Sequence, residues 1–120
     1  MDANGTLLLV IFLLGVTAAG GLVMAGIRVF AQHNPPAWLA LLHGLLAIAG
    51  LTLLVFATFT VGVPAVAQWA LVLLLIAAAG GVVMNLGYQW KQMPLPKPLM
   101  YLHAGIAAVG FGLLIAGALG

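Results

Sequence analysis

The sequence predicts an all-α integral membrane protein. Four transmembrane helices run up-down-up-down as a bundle, built by tandem duplication of a two-helix hairpin. Three observations predict this. Only 3% of the 120 residues are charged and 66% are hydrophobic, whereas a soluble domain carries about 25% charged residues. Four apolar stretches each reach the roughly 20 residues that cross a bilayer. The chain also aligns with itself, without a gap, at an offset of sixty residues.

The first span runs from about Thr6 to Phe30. Its apolar run is longer than the ~7–15 residues of a signal-peptide core, and no basic segment precedes it, so it is expected to stay in the membrane. "AQHNPPAW" ends it, because proline stops one helix and starts the next. The second span covers Ala37–Thr60 and ends at "VGVPA". The third covers Ala65–Trp90 and ends at "KQMPLPKP"; the fourth covers Pro98–Leu119. All three basic residues, Arg28, Lys91 and Lys97, belong to the first and third hairpin turns. The positive-inside rule therefore predicts cytoplasmic hairpins and two non-cytoplasmic termini, in a membrane such as the bacterial inner membrane. Trp38, Tyr88 and Trp90 are expected at the cytoplasmic interface, and Phe59 and Trp69 at the opposite one.

The sixty-residue match is carried by uncommon positions. "AAGGLVM" (18–24) falls on "AAGGVVM" (78–84). Gln32 falls on Gln92, Pro36 on Pro96, His43 on His103 and Gly50 on Gly110. Each half (1–60 and 61–120) has two spans, so both copies share one orientation. A pseudo-twofold axis along the membrane normal, a parallel repeat, is the expected relation. The shared positions form stripes at helical spacing: 39, 43, 47, 50 and 54 on the second span, and 13, 20 and 24 flanked by 14, 18 and 21 on the first.

Composition closes off several chemistries. There is no cysteine, so disulfides and thiolate sites are excluded, and a single acid, Asp2, excludes paired-carboxylate catalysis. A formal charge of +2 is too small for a nucleic-acid footprint. What remains is one layer of His43, His103, Met24 and Met84 at matching depth in the cytoplasmic half. His43 lies about 9 Å into its helix, at 1.5 Å per residue. In an up-down-up-down bundle the second and fourth helices are diagonal, and two inward histidines can then grip a planar iron porphyrin from both faces. Gly20, Gly21, Gly80 and Gly81 would leave room for it, and Arg28, Lys91 and Lys97 would meet its propionates. The free ring nitrogen of each imidazole needs an acceptor, a backbone carbonyl or a nearby threonine.

This histidine–glycine layout resembles that of membrane b-type cytochromes, which implies haem b and electron transfer within the membrane, with a quinone or a larger redox complex as partner. Three other readings stay open. The histidines can be structural hydrogen-bonders in an accessory subunit of a respiratory or photosynthetic complex, or in a homodimer. Met24 and Met84 can join them around copper(I). A quinone or small solute can occupy the same layer. His33 has Met93 as its counterpart and is expected to be a solvated interfacial residue.

Overall fold

A computed structural model describes residues 2–120. Among them are four helices long and apolar enough to cross a membrane: α1 (Ala3–Phe30), α2 (Ala37–Phe59), α3 (Ala65–Met84, continued by a π-helical turn at Asn85–Gln89) and α4 (Lys97–Leu119). The protein is an integral membrane four-helix bundle measuring 43 × 21 × 19 Å. The long dimension is that of α1, whose 28 residues span about 42 Å.

Helix ends follow local chemistry. α1 starts three residues ahead of the apolar run because the Asp2 carboxylate accepts from the Gly5 amide at 2.7 Å, satisfying one of the free amides of the first turn. Both hairpin turns at the opposite end leave their helix through a glutamine with positive φ, Gln32 at 62° and Gln92 at 55°. Pro36 and Pro96 then precede α2 and α4. Gly62, at φ 83°, and Pro64 make the turn between α2 and α3. The π turn was not expected from the sequence. Trp90 N–H reaches back five residues to Asn85 C=O, which rotates the last turn of the third span relative to the matching α-helical stretch of α1.

α2 returns along α1, and α4 along α3; α1 against α4 and α2 against α3 then join the two hairpins. Small residues set the approach. A Cβ on Gly50 would stand 2.7 Å from Leu14 Cδ2, and one on Gly110 would stand 3.0 Å from Leu74 Cγ. Burial on α1 runs through Leu7, Val10, Leu14 and Thr17, and on α3 through Ala67, Ala70, Leu74 and Ala77, the same positions sixty residues on. This corrects the expected stripe at one point: Ala18 faces outward, and Thr17 takes the interior place. The core has two parts. One, at the end holding the termini, centres on Val10, Leu54, Leu74 and Leu114. The other, near the hairpin turns, is Met84, Leu95 and Met100. The outer surface is a belt of exposed apolar side chains such as Phe12, Leu22, Ile48 and Val82, suited to lipid rather than water.

Candidate functional site

His43 and His103 face one another across the bundle interior. Their ring centroids are 6.3 Å apart and their planes inclined at 68°. Each ring is held by its own hairpin. His43 Nδ1 lies 2.8 Å from the Thr17 carbonyl oxygen, and His103 Nδ1 lies 2.6 Å from the Ala77 carbonyl oxygen. A carbonyl only accepts, so both Nδ1 atoms carry a proton, and in the neutral ring the lone pair is then on Nε2. The acceptors are backbone carbonyls, one of the two kinds expected. The Thr17 hydroxyl is spent elsewhere, donating to Leu13 C=O at 2.8 Å.

The glycines explain how an imidazole reaches a carbonyl inside a helix. A helical side chain covers the turn on its N-terminal side, so the residue four positions on screens a given carbonyl. Gly21 follows Thr17 by four, and Gly81 follows Ala77 by four. A Cβ at Gly21 would stand 2.9 Å from His43 Cε1, and one at Gly81 would stand 3.3 Å from His103 Cε1. These two glycines therefore make room for the imidazoles themselves. Gly80 also borders His103, at 3.8 Å, while Gly20 has nothing within 4 Å of a built Cβ. Of the two thioethers, Met84 is buried against Leu95 and Met100, and Met24 is half-buried. Among the described residues no group of three or more His, Cys, Asp or Glu gathers as a metal cluster.

The hairpin-turn end holds a second polar region. A cavity of about 530 Å³ is lined by Arg28, Gln32, His33, Asn34, Gln89 and Gln92, among others. Hydrogen bonds tie the two turns together around it. Arg28 Nε donates to Leu95 C=O at 3.0 Å. Asn34 donates to Met93 C=O at 2.7 Å and accepts from Leu95 N–H at 2.9 Å. Gln89 donates to Pro35 C=O at 2.7 Å. Of the three basic residues expected near one another, only Arg28 lines this cavity; Lys91 is exposed and Lys97 is half-buried in the first turn of α4. His33 is exposed, as expected, but it also borders the cavity.

Asn34 and Gln89 went unassigned in the sequence. Their signal is faint, two polar residues at the ends of apolar spans without matching partners (Asn34 falls on Pro94, Gln89 on Val29). Comparison of the chain with protein-family models, with curated protein sequences and with solved structures finds no match.

Proposed function

We propose that the chain is a small b-type haem protein that passes single electrons within the membrane, with His43 and His103 as the residues that would hold its iron. One observation carries the reading: two imidazoles, each fixed through Nδ1, with centroids 6.3 Å apart. Two imidazoles that would share one metal ion through bonds of about 2 Å have centroids about 6 Å apart. The donor set also fits. A porphyrin supplies four nitrogens, so two imidazoles complete its iron, whereas a bare ion would need further ligands. That favours haem over copper(I) held with Met24 and Met84.

When bound, haem b supplies a one-electron iron couple. The chain's residues do the rest. The Thr17 and Ala77 carbonyls fix each imidazole's tautomer and orientation and raise its basicity. Gly21 and Gly81 allow that contact. The two apolar core clusters on either side of the layer exclude water and keep the dielectric low. The electron partner is a quinone or a larger redox complex.

We further propose that the two hairpins descend from one by tandem duplication and are related by a twofold rotation about the membrane normal. In support, the paired contacts recur sixty residues apart: His43 with Thr17 and His103 with Ala77, Leu14 with Gly50 and Leu74 with Gly110, Gln32 and Gln92 at positive φ. The hairpin turns with Arg28, Lys91 and Lys97 lie on the cytoplasmic side of a bacterial inner membrane, and both termini on the other.

The test is the absorption spectrum of protein purified from haem-replete cells. It should carry a Soret band that shifts on reduction. His43→Ala and His103→Ala should each lower haem affinity by about 100-fold or more, since losing only the hydrogen-bond partner of a metal ligand costs roughly 10–100-fold. His33→Ala should leave it unchanged.

A second reading rests on the same two imidazole–carbonyl bonds. Each joins the two helices of one hairpin without any ligand, as interhelical polar bonds in membranes do. With the apolar outer belt, this describes a non-catalytic subunit of a larger complex. A colourless preparation in which His43→Ala lowers thermal stability would select it.

A further inference from the structure

The cavity between the hairpin turns is separate from the histidine layer, and its chemistry calls for a ligand. Arg28 is a half-buried cation whose one hydrogen bond among the described residues uses Nε, on Leu95 C=O. Arg28 lines the cavity, and no bond from its two terminal nitrogens to a protein acceptor is seen among the described residues. The chain's one carboxylate, Asp2, begins the same helix, about 39 Å away at 1.5 Å per residue. A guanidinium with donors left over at a membrane interface is a ready partner for an oxyanion.

The opposite wall needs the reverse. Gln89 Oε1 is buried and has no hydrogen-bond partner. Its amide cannot be turned to relieve this, because Nε2 donates to Pro35 C=O at 2.7 Å and an oxygen there would face an oxygen. The π turn sets this side chain at the cavity wall. A ligand that satisfies both walls carries an oxyanion for Arg28 and a hydroxyl for Gln89. Gln32 and Gln92 flank it with amides. Both hold left-handed backbone, where glycine is the low-cost residue, so the side chain is kept at a conformational cost. The exposed Trp38 and Trp90 at the same end mark the interface, the depth at which lipid phosphates lie.

We propose that this cavity binds a glycerophosphate group: the phosphate takes the Arg28 fork, as guanidinium does elsewhere, and an alcohol of the glycerol donates to Gln89 Oε1. The volume of about 530 Å³ is more than a bare phosphate fills. Two sources share this chemistry, a soluble glycerol phosphate and the headgroup of phosphatidylglycerol. The inference does not rest on the haem reading, since none of these residues touches His43 or His103 through a hydrogen bond.

The experiment uses the full chain as purified, with whatever cofactor it carries. Glycerol 3-phosphate is titrated calorimetrically into delipidated protein in neutral detergent. In parallel, retained lipid is counted by native mass spectrometry after release from nanodiscs of phosphatidylglycerol or of phosphatidylcholine. Binding in the first arm assigns the soluble source; selective retention of phosphatidylglycerol assigns the lipid. In whichever arm binds, R28Q should weaken binding at least tenfold, R28K by less, and K91Q by less than twofold. Gln92→Gly suits the local backbone, so it keeps the fold even if R28Q does not, and it should weaken binding severalfold. No binding in either arm, or equal losses in R28Q and K91Q, overturns the proposal.

Discussion

The 2.9 Å between a Cβ built on Gly21 and the Cε1 of His43 makes this glycine the most sensitive small residue of the layer. Alanine there must push the imidazole from the Thr17 carbonyl. At Gly81 the corresponding gap is 3.3 Å, which a slight ring shift absorbs, and at Gly20 there is no neighbour to displace. Haem content, measured per chain, should therefore fall in the order Gly21→Ala, Gly81→Ala, Gly20→Ala, with the first losing most of it and the last nearly none. Equal loss at all three would mean that the glycines clear space for something other than the rings. His43 and His103 were legible as a pair because ionisable side chains are rare in apolar spans and these two share a register. Their acceptors were not. A backbone carbonyl leaves no mark in a sequence except the glycine four residues after it, and glycines in membrane helices serve many contacts.

At the scale of elements, the four helices could be read from apolar run length and proline alone, and their ends lie within a few residues of expectation. The exceptions have local causes: the Asp2 cap extends α1, and the π turn ends the third span differently from the first. A single extra residue per turn does not alter an apolar run, so hydropathy is blind to it. The bonds between the two hairpin turns were equally hidden, because each joins one unmatched polar side chain to a backbone group of an apolar residue in the other turn. Asn34 makes two of them, to Met93 C=O and Leu95 N–H. Asn34→Ala should destabilise the bundle by about 1–2 kcal/mol, chiefly the cost of stranding the part-buried Leu95 amide. Unfolding in detergent by a graded denaturant checks this. A change under about 0.5 kcal/mol, typical of an ordinary surface position, would show that water replaces both bonds.

For the whole molecule, the distribution of charge sets how the bundle sits in its membrane. Arg28, Lys91 and Lys97 all belong to one end, and the orientation proposed from them predicts that reporter fusions at both termini are active only outside the cytoplasm, while one at Pro35 is active inside. A cytoplasmic signal from either terminus rejects it. The same end carries the polar cavity, and the opposite end the larger apolar core. Joint ligation of one iron by the two hairpins would add a covalent link to the α1–α4 and α2–α3 contacts and the hydrogen bonds between the hairpin turns that otherwise join them. The most direct test is electron paramagnetic resonance of the oxidised, purified protein. Two imidazoles on one ferric haem, with planes inclined near the observed 68°, predict a strongly anisotropic low-spin signal that disappears in both His43→Ala and His103→Ala. A high-spin signal, a low-spin signal that survives either substitution, or no haem iron at all would contradict a shared axial pair.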